Sequence, residues 1–466
     1  MKLDNNQLLI YLLSGLSAVT LLAFVIEATQ YLAFPGFPYE GPWQGLHVIA
    51  AARILEGLPL YPGLFVEASY YAYSPALPWV HAGFFLVLGK SILTMKLSAL
   101  VFCLANIAGI FVIARQLGAS RMSTLIGIAY YLSFFTLLQF WHLSVRPDNP
   151  GTALTLWGAA CALLALKYRK NHHALLAGFL FALAALCKQP FALIGIMFFI
   201  YLSLNRERRI LLLALPVWIV TGAAVSFYYS VGDEHLLQSM MILAEHDIFS
   251  PLHTITVSRL LLFVLAIPLA ITFLQRSHLG LIGALVAAAF IMGFVGMSKW
   301  GGNVNAYQLL VALSAPVIAF QLSRLAEEQL TTSLVRIGTG VFLLIFCAES
   351  ITRILNYDED RPGNVTSRAA FIEANKDKTL YYPINNYLTW IYADQYHHCD
   401  WMSENLVRAQ RRPPEVFLGS LVDRKYDMIL GEFNTRGLNQ FRTNFYNISD
   451  AHRDAGVRIY TPKAEL

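Results

Sequence analysis

Two carboxylates and three cations stand where long apolar runs of this chain give way to short polar segments. Glu40 lies in the first such segment, Arg146 and Asp148 flank a proline in "HLSVRPDNPG", and Lys188 and Lys299 end two further apolar runs. Charge at the edge of a membrane is costly, which favours a functional role. Three cations on one side predict a site that binds an anion. The alternatives are an Arg146–Asp148 ion pair with Asp148 as a helix cap, and lysines that extend into water.

The elements that carry these residues are those of an integral membrane protein. The chain has 466 residues, of which 56% are hydrophobic and 14% charged, and its mean hydropathy is +0.52. Apolar runs recur at the length that crosses a bilayer, so we expect about 11 to 13 spans, beginning with a first helix that is retained in the mature chain. The net charge is +5. In a membrane protein such an excess of basic residues marks cytoplasmic loops, and nothing in the sequence indicates a nucleic-acid partner.

Basic clusters give the expected orientation, because Lys and Arg accumulate in cytoplasmic loops. The clusters assigned to the cytoplasmic side are Arg115 with Arg121; Lys167, Arg169 and Lys170; Arg206, Arg208 and Arg209; Arg276; and Arg324 with Arg336. The segments assigned to the opposite side are 31–74, 142–151, Lys188, 232–258, Lys299–Asn305 and the chain after 353. The stretch Pro75–Arg115 conflicts with this assignment, because it looks like two helices where an odd number of crossings is needed.

The first outside segment, 31–74, predicts a helix that lies in the membrane interface. From Trp43 the pattern is helical, with Glu40, Gln44 and His47 on one face. The apolar stripe of this helix is formed by Trp43, Leu46, Ala50 and Ile54. The pattern indicates an interfacial helix with a carboxylate at its start. The alternative is that Glu40 only stabilises the positive end of the helix.

Aromatic residues surround the next helix start, in "YYAYSPALPW". Tyr70, Tyr71, Tyr73 and Trp79 accompany Pro75, which a first helical turn tolerates. Such a cluster is typical of the aromatic belt at a membrane surface. A platform for a sugar or a lipid phosphate is the alternative.

Metal-ligand patterns are weak in this sequence. The segment "AEHDIF" offers Glu245, His246 and Asp247, but their spacing does not define a metal site, and a solvated loop is the alternative. The five cysteines are scattered singly and predict neither a disulfide framework nor a zinc site. We therefore expect no metal and no cofactor.

The tail, residues 354–466, no longer has the composition of a lipid-embedded chain. Its segments "DKTLYYPINNYLTWIYADQ", "VDRKYDMILGEF" and "AGVRIYTP" predict strand, helix, strand, helix, strand. We expect a small α/β domain outside the cytoplasm, after a transmembrane domain of residues 1–353. The expected core of the tail is Leu380, Tyr382, Met428, Ile429, Leu430, Val457 and Ile459.

Taken in order, the first-loop carboxylate, the aromatic-proline helix start, "RPD", "CKQPFAL", "AEHDIF", "SKWGGNVNAYQLL" and the α/β tail resemble the GT-C superfamily of polyprenyl-phosphate-sugar glycosyltransferases. The branch that the chain most resembles is the bacterial one related to protein O-mannosyltransferases and to the lipid A aminoarabinose transferase. The resemblance covers essentially the whole chain and rests on the order and sidedness of the motifs. It implies an all-α polytopic membrane fold with a small C-terminal α/β domain.

The resemblance also implies an enzyme that moves a sugar, with inversion, from a polyprenyl-phosphate carrier to an acceptor on the outer side of the membrane. Glu40 occupies the place of the catalytic base, Asp148 that of a second acid and Lys188 that of a phosphate-side lysine. His47, on the face of Glu40, is a further candidate binding residue. Later polar positions of the family are matched by Lys299, Glu245 and His246.

The chain departs from the family pattern in three places. Family loops commonly hold an Asp-Glu pair, whereas "YEGPW" holds Glu40 alone. The aminoarabinose branch has a lysine just before the proline of the aromatic helix start, where Tyr73 and Ser74 stand here. The DxD-type metal motif of oligosaccharyltransferases is absent, which implies a metal-independent enzyme with a monomeric sugar donor. The candidates to bind the carrier phosphate are therefore Arg146, Lys188 and Tyr73.

Elementary chemistry agrees with these roles. An acceptor hydroxyl needs a base to take its proton, whereas a phosphate leaves as a stable anion and needs only cations to hold its charge. We expect a bacterial inner membrane, with membrane lipids and a glycolipid, glycan or protein acceptor as partners. Two other classes stay open: a polysaccharide polymerase or ligase, and a lipid or solute transporter, which also places charges within membrane helices.

Overall fold

The structure is a computed structural model, and it describes most of the chain. The described residues are 5–34, 42–63, 71–134, 138, 141–232, 235–241, 255, 276–299, 302–324, 338–345, 348–349, 351–352, 354, 365–397, 415–431, 442–449 and 457–463.

Helices dominate the described residues. The α-helices are α1 (Asn5–Ala33), α2 (Pro42–Leu55), α3 (Ala76–Leu88), α4 (Ile92–Gln116), α5 (Arg121–Ser133), α6 (Asp148–Tyr168), α7 (Asn171–Cys187), α8 (Ala192–Leu204), α9 (Arg208–Gly232), α10 (Leu236–Met241), α11 (Arg276–Met297), α12 (Gln308–Ser323), α13 (Val365–Ala374), α14 (Asn386–Ala393) and α15 (Glu415–Val422). Short 3-10 turns lie at Trp141–Leu143, Gln189–Phe191 and Val304–Tyr307.

The chain is a multi-pass membrane protein. Among the described residues, six helical segments are long and apolar enough to cross a bilayer: Ile10–Ala33, Ile92–Gln116, Asp148–Tyr168, Arg208–Val231, Leu279–Met297 and Val304–Ser323. Shorter apolar helices include α3, α7 and α8. The total of about 11 to 13 spans stays a prediction, since it also depends on residues outside the described ones.

The two helices of the stretch Pro75–Arg115 differ in length. α3 has 13 residues, which at a rise of about 1.5 Å each cover about 20 Å, well short of the ~30 Å hydrocarbon core of a bilayer. α4 has 25 residues and is long enough to cross. A crossing by α4 alone would give the odd number that the flanking segments need, but α8 also has 13 residues and joins segments assigned to opposite sides, so the division of this stretch stays a prediction.

By their internal contacts, the residues form two compact units. Unit 1 comprises Met1–Thr29, Ala99–Ala224 and Asp247–Tyr357, and unit 2 comprises Gln30–Ser98, Val225–His246 and Asp358–Leu466. Unit 2 thus includes the whole first outside segment, 31–74, and the tail from Asp358. The division into a transmembrane domain of residues 1–353 and a tail of residues 354–466 stays a prediction.

Small residues allow close helix packing in unit 1. A Cβ at Gly178 of α7 would lie 2.3 Å from the carbonyl oxygen of Ala214 in α9, and one at Gly127 of α5 would lie 2.6 Å from that of Ala315 in α12. Lipid tails are as apolar as leucine, so membrane helices associate through such close contacts rather than through the hydrophobic effect.

Hydrogen bonds in unit 1 join pairs of the basic clusters. The turn after α6 and the turn after α8 are linked, because Arg169 forms an ion pair with Glu207 and Arg209 donates to Asn171 Oδ1 at 2.7 Å. The backbone N–H of Ser120, beside Arg121, donates to the hydroxyl of Ser323, beside Arg324, at 2.8 Å. The members of each pair lie on one side, as the sequence predicts.

In unit 2, α2 is covered on every face. All of its residues from 44 to 53 are buried, including the predicted polar residues Gln44 and His47 as well as Leu46 and Ala50 of the apolar stripe. A Cβ at Gly45 would lie 2.7 Å from Oδ1 of Asn386 in α14, so the tail covers this face. The sequence pattern did not predict this cover over the polar face, whereas the position of α2 in the membrane interface stays a prediction.

The tail is also bonded to the end of α2 and to the turn after α3. Glu56 accepts hydrogen bonds from Trp390 Nε1 at 3.3 Å and from the Tyr396 hydroxyl at 2.9 Å. Burial and the neighbouring Glu56 carboxylate raise the pKa of Tyr396, so its hydroxyl keeps the proton that it donates. Lys90 forms an ion pair with Asp394 and donates to the carbonyl of Trp390 at 2.8 Å.

The strands of the tail form one mixed sheet in the order β1-β2-β4-β3. β1 (Leu380–Tyr381) and β2 (Met428–Leu430) are parallel, whereas β3 (Tyr446–Ile448) and β2 each pair antiparallel with β4 (Ile459–Pro462). The strands predicted around Leu380, Ile429 and Ile459 are present. The sequence did not predict β3, because it has only three residues, two of them exposed, and so no alternating pattern.

The core of the tail agrees in part with the prediction. Five predicted residues, Leu380, Tyr382, Ile429, Leu430 and Ile459, are buried. Met428 and Val457 are only half-buried. The remaining core positions are filled by Tyr381, Leu421, Tyr426, Tyr446 and Tyr460. Tyrosine rings therefore make up much of the core. A core prediction based mainly on aliphatic residues does not find them.

We expect Gly178→Ala to destabilise unit 1 by about 1–3 kcal/mol, because the added methyl group cannot fit against the α9 backbone. Thermal unfolding of the purified protein in detergent measures the effect. The control is Gly222→Ala in α9, which has no atom within 4 Å of its new Cβ and should be neutral or stabilising, since alanine favours helices over glycine. Equal losses in the two variants would contradict the close α7–α9 contact.

Candidate active site

An ion pair between Asp148 and Lys188 is the centre of the candidate site in unit 1. Nζ of Lys188 lies 2.8 Å from Oδ1 of Asp148, and the two side chains are 20% and 7% exposed. Asp148 is the first residue of α6, where the positive end of the helix dipole stabilises its negative charge. Pro147 holds the N-cap position and no side-chain cap bond forms. Asp148 is therefore not a cap.

Lys188 is held at this place by a break between two helices. α7 ends at Cys187, Lys188 has an extended backbone (φ −154°, ψ 129°), and a 3-10 turn follows before α8. Pro190 in that turn has no N–H with which to continue the hydrogen bonds of α7. The helix thus ends, and the lysine side chain reaches Asp148 forty residues earlier in the chain.

Asn305 occupies the second oxygen of Asp148. Its Nδ2 donates to Oδ2 of Asp148 at 2.9 Å, and its side chain is buried. Asn305 lies in the 3-10 turn that precedes α12. Three segments of unit 1, all assigned by sequence to the outer side, therefore meet at one carboxylate.

A second polar network lies directly beside this carboxylate. Nδ2 of Asn149 donates to the carbonyl oxygens of Ala99 and His142, both at 2.9 Å, and its Oδ1 accepts from Asn106 at 2.7 Å. Gln308 of α12 is 3.4 Å from the same oxygen. Asn106, Asn149 and Gln308 are fully buried. These amides fix the start of α6, and with it the position of Asp148.

Arg146 is not part of the ion pair. Its guanidinium carbon lies 3.7 Å from the ring centroid of Trp141, a close cation–π contact. The described ion pair of Asp148 is with Lys188 instead, so the predicted alternative of an Arg146–Asp148 pair is wrong. The Arg146 side chain is half-buried and lies two residues from Asp148 in the chain.

Lys299 lies six residues before Asn305, in the connection that follows α11. Its side chain is half-buried, and its ammonium makes no hydrogen bond or ion pair with a described residue. The predicted convergence of three cations therefore stays a prediction for Lys299, whereas the structure brings Lys188 to Asp148.

His47 and Tyr73 lie together in unit 2, in an aromatic cluster. His47 Nδ1 is 3.1 Å from the Tyr71 hydroxyl, and its ring centroid is 5.2 Å from that of Tyr73. Tyr61 donates to the carbonyl of Tyr73 at 2.9 Å. His47 is 1% exposed, whereas Tyr73 is half-buried. Tyr73 is therefore the more accessible of the two candidate binding residues.

Three candidate residues lie outside the described residues: Glu40, Glu245 and His246. Their roles stay predictions. Within the described part of the chain, no group of three or more His, Cys, Asp or Glu side chains is arranged to hold a metal ion.

Sequence reasoning missed the amides of the site and one buried lysine. Asn305 lies within "SKWGGNVNAYQLL", where only Lys299 attracted notice. Lys96 of α4 is 1% exposed and donates to the carbonyl oxygens of Tyr31 and Phe34, both at 2.8 Å. It thereby satisfies carbonyl groups at the C-terminal end of α1. A single charge within an apolar run was the available signal for this residue.

Residues 72–230 match the sequence model of a family described as dolichyl-phosphate-mannose-protein mannosyltransferase. Two solved structures share the fold: ArnT from Cupriavidus metallidurans bound to undecaprenyl phosphate, with a TM-score of 0.63, and the same protein in the apo state, with 0.61. Each is 14% identical, over 96% of this chain and 98% or 97% of the other. No curated protein sequence matches the chain.

These similarities confirm the predicted fold class. The match to ArnT extends over nearly the full length of both chains, so this chain has an ArnT-like GT-C fold. The family match, over residues 72–230, agrees with the predicted glycosyltransferase activity, which stays a prediction.

We expect Asp148→Asn and Lys188→Gln to be strongly non-additive in thermal unfolding of the purified protein. Removing either partner of a mostly buried ion pair costs about 3–5 kcal/mol, because an uncompensated charge remains, and the second substitution then removes that charge. The control cycle combines Asp148→Asn with Lys299→Gln, which should be additive. Additive losses for Asp148 and Lys188 would contradict the pair.

Proposed function

From the premise of a membrane protein with the GT-C fold, we propose that the chain is a glycosyltransferase that moves a sugar from a polyprenyl-phosphate donor to an acceptor hydroxyl, with inversion and without a metal. The matched family and fold support the class of enzyme and the lipid-linked donor. The acceptor, an envelope glycolipid, a glycan or a protein, and the stereochemical course belong to the proposal.

The observation that best supports the proposal is a lysine held rigidly at one end of the unit 1 bundle. Lys188 is fixed by Asp148, which is itself bonded to Asn305. An ammonium group has three N–H donors, and the bond to Asp148 uses one of them. The other two are available to phosphate oxygens. Such pre-positioned charge stabilises a leaving phosphate without reorganisation.

In this proposal Asp148 acts as a positioning residue. Both of its oxygens are engaged, one by Lys188 and one by Asn305, so it orients the lysine and does not take a proton from the acceptor. Glu40 is assigned that role, as the base that deprotonates the acceptor hydroxyl. Arg146, Tyr73 and His47 are assigned to binding donor or acceptor, as are Lys299, Glu245 and His246.

The leaving group explains why this set of residues suffices. The bond from the anomeric carbon to the phosphate oxygen breaks as the bond to the acceptor oxygen forms. The proton of the acceptor passes to Glu40, and the polyprenyl phosphate leaves as an anion that needs no proton. The chain therefore needs one base and a cationic site, and no metal ion is required.

We place the reaction on the outer face of a bacterial inner membrane. Lys188 and Asp148 lie at the ends of α7 and α6 opposite to the basic turns Lys167–Lys170 and Arg206–Arg209. Basic turns mark the cytoplasmic side. The 21 residues of α6 separate the two ends by about 30 Å, the thickness of the hydrocarbon core.

We expect Glu40→Gln to lower sugar transfer from a panel of radiolabelled polyprenyl-phosphate sugars to envelope glycolipids by a factor of about 10² or more, because the amide cannot take a proton. The control is Glu56→Gln, the same change in the same outside segment, where the one amide oxygen can still accept from Trp390 or from Tyr396. Equal transfer by wild type and Glu40→Gln would show that another residue is the base. Absence of transfer with every donor would favour a polymerase or a transporter.

We expect Lys188→Gln to weaken binding of polyprenyl phosphate by about tenfold or more, because a charge-assisted hydrogen bond is lost. Equilibrium binding to the purified protein measures the effect, and Lys188→Arg, which keeps the charge, should retain part of the affinity. Lys376→Gln removes an exposed charge in the tail and is the control. Unchanged affinity in Lys188→Gln would show that the phosphate does not bind at Lys188.

A further inference from the structure

A basic patch lies at the end of unit 1 opposite to Lys188. It consists of Lys167, Arg169, Lys170, Arg206, Arg208 and Arg209, all of them exposed. Glu207 is the acidic residue within these two turns, so the turns together carry a net charge of +5, as much as the whole chain. Because this patch lies about 30 Å from Lys188 along α6, it is separate from the proposed sugar-transfer site.

The two turns of the patch are fixed to each other. Arg169 donates to both carboxylate oxygens of Glu207, one of them at 2.9 Å, and Arg209 donates to Asn171 through Nε at 3.1 Å and Nη2 at 2.7 Å. These contacts engage the side chains of Arg169 and Arg209. The side chains of Lys170, Arg206 and Arg208 make no hydrogen bond or ion pair with any other residue that the structure describes, so their charges are available to a partner.

Two arginines of the patch have a left-handed backbone conformation. Arg169 and Arg206 end their helices in the left-handed conformation, with φ of 56° and 59°. Glycine is the usual residue in this conformation, because it has no Cβ to clash. The Arg169 side chain is engaged by Glu207, whereas the Arg206 side chain forms no ion pair with a described residue and is exposed.

The surroundings of the patch identify the chemistry of that contact. Tyr168, Leu204 and Leu212, next to the cations in the sequence, are 53%, 78% and 72% exposed. In a membrane protein, exposed apolar side chains at the ends of spanning helices face hydrocarbon. The neighbouring cations therefore lie at the depth of the lipid headgroups, where guanidinium groups bind phosphates with two parallel hydrogen bonds.

We propose that this basic patch is a binding site for the phosphate headgroups of anionic phospholipids in the cytoplasmic leaflet. The linked turns hold Arg206 and Arg208 in place, and the exposed apolar residues contact the acyl chains of the same lipids. Basic clusters at the ends of membrane helices attract anionic lipids. The hydrogen bonds that fix the two turns to each other distinguish a built site from loops that only set orientation.

The test uses the full chain purified in detergent and native mass spectrometry of lipid adducts, with phosphatidylglycerol and phosphatidylcholine as probes. Wild type should bind phosphatidylglycerol in preference. The variant Arg206→Gln/Arg208→Gln should bind phosphatidylglycerol several-fold more weakly and phosphatidylcholine as wild type does. Higher salt should weaken the binding of phosphatidylglycerol and leave that of phosphatidylcholine unchanged. Arg206→Lys/Arg208→Lys keeps the charges and should retain most of the binding.

The matched control, Arg121→Gln/Lys376→Gln, removes two exposed charges elsewhere and should bind phosphatidylglycerol as wild type does. Equal losses in control and patch variants, or no preference between the two lipids, would overturn the proposal. The single variant Lys170→Gln provides the same comparison if the double variant does not fold. Sugar transfer is not measured, so the result is independent of the proposed enzymatic function.

Discussion

A charge within a membrane bundle must be neutralised where it lies, and the Asp148–Lys188 pair is where this chain meets that requirement. The pair joins the start of α6 to the break between α7 and α8, and Asn305 adds the segment before α12. Neither side chain could hold its position alone, since each would carry an uncompensated charge. Much of unit 1 is therefore arranged around one carboxylate, and the polar network of Asn149 secures the backbone beside it.

Charge was the most informative signal in the sequence, because it is scarce in this chain. Lys188, Asp148 and the basic turns each interrupt apolar runs, and the structure brings the predicted outer segments together and the predicted cytoplasmic turns together. Amides give no such signal: Asn149, Asn106 and Gln308 occur within apolar helices, and only the crossing of α4, α6 and α12 shows that they bond to one another. Their importance depends on three-dimensional neighbours that no spacing rule predicts.

The burial of α2 shows a second limit of what local sequence patterns predict. Its polar and apolar faces read as those of an interfacial helix, yet both are buried, because the tail that covers them lies more than 300 residues later in the chain. A pattern that looks amphipathic predicts an exposed face only if no distant segment packs on it. Similarly, β3 depends on pairing with β4 rather than on its own composition.

The contacts of Glu56 with Trp390 and Tyr396 bridge sequence separations of 334 and 340 residues. During synthesis, α2 and Glu56 are made more than 300 residues before the residues that cover them. Contacts of such high sequence separation form late, because the intervening chain must first be ordered. The packing of α2 is therefore completed only after Trp390 and Tyr396 have left the ribosome, so a product that stops before them leaves α2 uncovered however well its membrane helices have inserted.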